Sequence, residues 1–207
     1  MANDAGRRFD ERASNLLVVV LASSAGGLRA LRQVLGDLPL GFPAAVMVVQ
    51  HLHRDHSSVL AQLLGRHTAL HVQEARDGDH LEPGVIYVAP PNRHLVAGID
   101  DRLGLTLEAP VHYLRPSADR LFESAALAFG ARTIAVVLTG TGLDGATGVS
   151  AIKRGGGTVI AQDEASSEFF AMPHAAIRTG DVDFILPLDQ IGPKLISLTA
   201  VALPPPS

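Results

Sequence analysis

The chain has 207 residues, 47% of them hydrophobic and 18% charged, a length and balance that one globular domain can bury. It contains no cysteine, which removes disulfides, thiolate metal sites and a Cys nucleophile together, so any nucleophile carries oxygen or nitrogen. A net charge of −4, with no Lys/Arg cluster interleaved with aromatics, argues against a nucleic-acid partner, and no apolar run of about 18 residues offers a membrane span.

Residues 1–15, with Arg7, Arg8, Asp10, Glu11 and Arg12, have no apolar core like that of a secretory signal. They are expected to be a flexible lead-in, and cytoplasm is the expected compartment. The apolar run Leu17-Val18-Val19-Val20-Leu21-Ala22 then reads as a buried parallel strand. It stops at Ser23-Ser24-Ala25-Gly26-Gly27, after which Leu28, Leu31, Val34, Leu35 and Leu38 recur at helical spacing. A strand-turn-helix unit of this kind presents a hydroxyl at the carboxyl edge of a sheet, beside helix-start N–H groups that favour a developing oxyanion. Ser24 is the candidate nucleophile. Serine is also a common helix N-cap, so capping competes with chemistry at this position.

Residues 44–50 read as a second buried strand, ending on His51, and 57–66 as a helix with Val59, Leu60, Leu63 and Leu64 on one face. Short strands are expected at 72–75 and 85–89, the latter closed by Pro90-Pro91. A β-hairpin is expected from 94–99 and 103–107 around Asp100-Asp101-Arg102. The segment 117–129 is an amphipathic helix with Leu121, Phe122, Ala125, Ala126 and Phe129 inward, and 133–139 is a third apolar strand. That strand runs into Gly140-Thr141-Gly142-Leu143-Asp144-Gly145. A helix over 146–154, a strand over 158–161, a helix opened by Pro173 and ending near Gly180, and a last strand over 182–186 complete the pattern. The alternation predicts a single α/β domain over 16–198: a doubly wound, mostly parallel sheet with helices on both faces and a β-hairpin insertion. Residues 199–207 are left as a Pro-rich tail.

In open α/β sheets ligands bind beyond the carboxyl ends of the strands, and Ser24, His51 and Asp144 each fall just past such an end. A serine nucleophile needs a base, and the base needs an acid that fixes its tautomer and stabilises the imidazolium. Taken singly, His51 also fits a satisfied histidine at a helix start, and Asp144 a helix N-cap. The Gly140-Thr141-Gly142 turn adds backbone that can approach a ligand closely, where an N–H would help bind an oxyanion.

These motifs resemble the CheB-type protein-glutamate methylesterases of bacterial chemotaxis. Ala22-Ser23-Ser24-Ala25-Gly26-Gly27-Leu28 is similar to their Gly-Ala-Ser-(Ala/Thr)-Gly-Gly signature, Gln50-His51 to their histidine strand end, and Leu138-Thr139-Gly140-Thr141-Gly142-Leu143-Asp144-Gly145 to their Leu-Thr-Gly-Met-Gly-x-Asp-Gly loop. The stretches Ala89-Pro90-Pro91-Asn92-Arg93-His94, Arg115-Pro116-Ser117-Ala118-Asp119-Arg120-Leu121-Phe122 and Ala161-Gln162-Asp163-Glu164-Ala165-Ser166-Ser167 with Met172-Pro173 match in order. The resemblance implies Ser24 as nucleophile, His51 as general base and acid, and Asp144 as its orienting partner, with backbone support from Ala25, Thr141 and Gly142.

It further implies hydrolysis of glutamate methyl esters, with deamidation of glutamines in some members, on chemoreceptor cytoplasmic helices, with no metal or organic cofactor. Ala22 replaces the signature glycine and Thr141 the usual methionine, changes that bear on the oxyanion hole. Residues 1–15 are too few for the receiver domain that precedes the esterase domain in chemotaxis members. The sequence therefore implies an ungated enzyme, one controlled by a separate regulatory protein, or part of a longer chain.

Two other readings stay open on sequence. His51-Leu52-His53-Arg54-Asp55-His56 spells the dinuclear zinc signature of metallo-β-lactamase-fold hydrolases, with His112 and His174 as downstream candidates. That fold is largely antiparallel, whereas this motif lies within a βαβ pattern. The other is a catalytically inactive module that binds receptor helices.

Overall fold

Unbroken runs of Val, Leu, Ala and Met leave β1 (Leu17–Ser23) and β2 (Ala44–Gln50) without a polar face, and both strands are buried along their whole length. A computed structural model of the chain describes residues 15–51 and 59–202. With β3 (His71–Glu74), β4 (Val85–Val88), β7 (Thr133–Val137), β8 (Thr158–Gln162) and β9 (Phe184–Leu186), these strands form a seven-stranded sheet in the order β3-β4-β2-β1-β7-β8-β9, every pair parallel. The chain leaves β1 for β2 on one side and returns to β7 on the other, so the switch in winding direction falls at β1.

Successive side chains of a strand point to opposite faces, and β1 feeds two cores. Leu17, Val19 and Leu21 pack with Leu31, Val34 and Leu35 of α1 (Gly27–Gly36), Leu60 and Leu64 of α2 (Leu60–Gly65), and Ile191 and Leu195 of α6 (Leu188–Ala202). Val18, Val20 and Ala22 pack with Leu121, Phe122 and Ala125 of α3 (Ala118–Phe129), Val149 and Ile152 of α4 (Ala146–Arg154), and Met172 and Ala176 of α5 (Ala171–Ile177). The antiparallel hairpin of β5 (His94–Ala97) and β6 (Leu103–Thr106) lies on this second face, where Leu95 and Leu103 join the core and Ala97 N–H donates to Ser124 Oγ at 3.0 Å. The doubly wound parallel sheet with helices on both faces and a hairpin insertion is thus observed.

Several boundaries differ from those expected. β7 stops at Val137 because the N–H of Thr139 is taken by the Gln162 side chain at 2.8 Å instead of a ladder carbonyl. β9 begins at Phe184, and Asp183 turns its carboxylate to the Val159 N–H at 2.8 Å and to Lys153 Nζ at 2.6 Å. α5 opens two residues before Pro173, which costs no intrahelical bond because first-turn N–H groups have no helical partner. α2 is described from Leu60, and the expected start at 57–58 lies outside the described residues. Most of the expected lead-in, 1–14, and residues 203–207 of the tail also lie outside them, while α6 continues through 199–202. Among the described residues no helix is long and apolar enough to cross a membrane.

Candidate active site at the sheet switch point

The parallel register pairs Ser23 with Gln50 and Ala22 with Val137, so the residues that follow, Ser24, His51 and the Leu138-Thr139 pair, reach one edge together. His51 N–H donates to Ser23 O at 3.0 Å and Ser24 N–H to Thr139 O at 3.1 Å, tying the three strand ends by backbone alone. Gly26, at φ 75°, is the N-cap of α1 and no side chain caps it, so Ser24 is not a helix cap. The left-handed conformation there is one a glycine adopts without the cost a Cβ would bring.

His51 Nε2 lies 2.7 Å from Asp144 Oδ2, with the two side chains 7% and 0% exposed. Asp144 does not cap its own helix. Its carboxylate caps α3, accepting from Ser117 Oγ at 2.8 Å, Ala118 N–H at 2.6 Å and Asp119 N–H at 3.2 Å. Burial opposes ionisation of Asp144, but the hydrogen bonds from His51, Ala118 and Ser117, with the attraction of the imidazole, outweigh it and hold the carboxyl below the usual aspartate range. A carboxylate on Nε2 selects the tautomer protonated there and leaves Nδ1 as the basic nitrogen.

Buried polar side chains brace this edge, and sequence reasoning gave them no role. Gln50, at the end of β2, accepts from Ser23 Oγ at 2.6 Å and donates from Nε2 to the carbonyls of Ser24 at 2.7 Å and His51 at 3.1 Å. The amide therefore bridges the serine and histidine turns with all its donors used. A Cβ on Gly27 would lie 2.1 Å from Gln50 Oε1, which is why the second glycine of the turn has no side chain. Gln162 mirrors Gln50 on β8, holding Thr139 N–H and donating to Ser166 O at 2.8 Å. The detectable signal for both is a glutamine that directly follows a run of buried apolar strand residues.

Of the expected backbone supports, Ala25 follows Ser24 and its carbonyl accepts from Thr139 Oγ1 at 3.1 Å, while Thr141 and Gly142 are exposed in the turn after Gly140. Gly140 is the contact between that turn and the serine: a Cβ there would lie 2.3 Å from Met172 Sδ and 2.8 Å from Ser24 Cβ. Gly140→Ala is expected to push the serine turn off its position and lower kcat by about 10²-fold, the scale of a 1 Å misplacement. Steady-state kinetics on the folded variant check this, and an unchanged kcat would mean the turn yields elsewhere. Ala22, at the expected-glycine position, is fully buried in the α3 and α4 core.

His53, Asp55 and His56 of the zinc-type motif lie outside the described residues. His112 sits 3.7 Å from Asp119, and His174 is on α5 with its ring 5.5 Å from that of Phe170. Among the described residues no cluster of three or more His, Asp and Glu side chains could hold a metal ion.

An open parallel α/β sheet that gathers a serine hydroxyl, an imidazole and a buried carboxylate at its winding switch defines the class to which this chain belongs. Within that class the family is specific: the model of the CheB methylesterase family matches residues 19–195, and the chain belongs to that family. It is 46% identical over 188 residues to "protein-glutamate methylesterase/protein-glutamine glutaminase 2" of Anaeromyxobacter dehalogenans (strain 2CP-C), a match covering 91% of this chain and 55% of that protein. To "protein-glutamate methylesterase FrzG" of Myxococcus xanthus it is 42% identical, covering 86% of this chain and 54% of the other. The chain thus spans about half the length of the curated relatives it matches. The crystal structure of the Thermotoga maritima CheB methylesterase catalytic domain superposes with a TM-score of 0.85 at 38% identity, covering 88% of this chain and 98% of that one.

Proposed function

We propose that this chain hydrolyses glutamate methyl esters on the cytoplasmic helices of chemoreceptors or similar methylated signalling proteins, in the cytoplasm. The observation that carries the reading is the buried His51–Asp144 bond at the strand ends flanking Ser24. Ser24 Oγ attacks the ester carbonyl as His51 Nδ1 takes its proton. The tetrahedral oxyanion is met by backbone N–H groups near Ala25, Thr141 and Gly142, and His51 returns the proton to the departing methoxide, releasing methanol. Water then attacks the glutamyl-serine ester by the same proton path, freeing glutamate and Ser24. With a glutamine side chain the leaving group is ammonia, the deamidation that the combined names of the relatives suggest.

No step calls for a metal or an organic cofactor. Incubation with a methylated receptor cytoplasmic fragment should release methanol, and exhaustive chelation should leave that rate unchanged. No methanol from the folded protein would point to a binding module, and loss on chelation restored by zinc would point to the metal reading.

A further inference from the structure

Asp144 is one of two buried carboxyls where α3 meets α4. Asp119, the second residue of α3, is 3% exposed, and its Oδ1 accepts the N–H groups of Gly145 at 2.9 Å and Gly148 at 2.8 Å. Gly145 is the N-cap of α4 and brings no side chain of its own, so Asp119 caps that helix from across the interface. Asp144 in turn takes the first two N–H groups of α3, those of Ala118 and Asp119. Each aspartate therefore caps the helix that the other belongs to or leads into. The close crossing of α3 and α4 keeps the pair in reach: a Cβ on Gly148 would lie 2.5 Å from Phe122 Cβ.

We propose that Asp119 is a positioning residue for the reaction, fixing through Gly145 and Gly148 the turn from which the Asp144 carboxylate reaches His51. The inference rests on the triad reading of the site.

Charge enters with geometry. Burial, together with the negative charge of Asp144, pushes the Asp119 carboxyl up to about 6 against the glycine N–H bonds that favour its ionised form. Of the two acids, Asp144 keeps the charge. The groups facing Asp119 are Asp144 from the turn before α4, His51 beyond it, and half-exposed His112, whose Nε2 is 3.7 Å from Asp119 Oδ2. Arg120, its neighbour on α3, is turned to Glu108 at 2.9 Å and Glu123 at 3.9 Å. Once ionised, Asp119 sets a second negative charge behind Asp144, which favours imidazolium at His51 as the serine proton is transferred.

The test is the rate at which a fluorophosphonate probe phosphonylates Ser24, with release of fluoride, from about pH 5 to 9, beside methanol release and thermal melts, for the wild type and for variants at Asp119 and Ser24. Asp119→Ala loses both caps and should lower kcat about 10²-fold with KM unchanged. Asp119→Asn keeps an oxygen for both glycine N–H groups but not the charge. It should hold kcat within about tenfold of wild type and move the acid limb of the labelling rate to lower pH by about half a unit. If Asp119→Ala fails to fold, Asp119→Ser, whose hydroxyl is too short to reach both glycine N–H groups, takes its place. A folded cap-loss variant that keeps wild-type kcat, while Ser24→Ala is inert to the probe, overturns the positioning role of Asp119, and an Asp119→Asn limb that superimposes on wild type overturns its charge contribution. A labelled Ser24→Ala overturns the triad reading beneath it.

Discussion

Ser24→Ala and His51→Ala should each lower kcat for ester hydrolysis by about 10³ to 10⁶ while the protein stays folded. The serine turn is held by bonds that alanine keeps, the Ser24 N–H to Thr139 O and the Gln50 amide to Ser24 O. Loss of the hydroxyl is therefore expected to change stability by no more than about 0.5 kcal/mol. His51→Ala frees Asp144 of its imidazole, but the carboxylate retains the Ser117, Ala118 and Asp119 donors. Because the two residues act in one proton transfer, the double variant should be little slower than either single one. Methanol release per folded molecule, with the fold checked by circular dichroism and melting, measures this. A folded Ser24→Ala protein with full activity would sink the mechanism.

The parallel sheet was readable from sequence because its central strands are buried on both faces and so show no alternation. β1 and β2 could be recognised by that signature. α6 was not, although Leu188, Ile191 and Leu195 are at most 4% exposed and fall at helical spacing. Gly192-Pro193 in its middle reads as a break. Pro193 is the sixth residue of the helix, past its first turn, so it gives up one intrahelical hydrogen bond, which burial of Leu188, Ile191 and Leu195 in the core shared with α1 outweighs. The start of α5 differs for a related reason, since Pro173 is the residue that signals a helix opening and the two before it carry no capping signal.

At the site, Ser24, His51 and Asp144 could be named because each follows a recognisable strand, and parallel register does the rest. The residues that hold them were not readable as such. Gln50 and Asp119 both lie in stretches that match the family, yet their work depends on which backbone groups face them after folding. Gln50 meets the carbonyls of Ser24 and His51 only because β1 and β2 are neighbours in register. Asp119 meets Gly145 and Gly148 only because α3 and α4 cross closely at a glycine. Helix caps made across an interface leave no local sequence pattern, unlike the Ser117 cap that α3 supplies for itself.

Asp144→Asn should lower kcat by about 10⁴-fold, the scale of losing the orienting carboxylate of a triad. The amide fits best with its oxygen in place of Oδ2, still accepting from His51 Nε2 and Ala118 N–H, and its NH₂ toward the Ser117 hydroxyl and the Asp119 N–H. Geometry is then largely kept, but the charge that stabilises imidazolium is gone, so the acid limb of kcat/KM should move to lower pH as the plateau falls. Stability should show the same carboxylate with a definite sign. The Asp144 carboxyl ionises more readily in the folded protein than in the unfolded chain, so its contribution is complete above the ordinary aspartate value of about 4 and is lost as pH falls through the lower folded value. The gap in Tm between wild type and Asp144→Asn should therefore be widest near neutral pH and shrink on acidification below about pH 4. A gap that stays constant or widens in acid would show that Asp144 is not held ionised by His51 and the α3 donors, and would remove the electrostatic basis of the site.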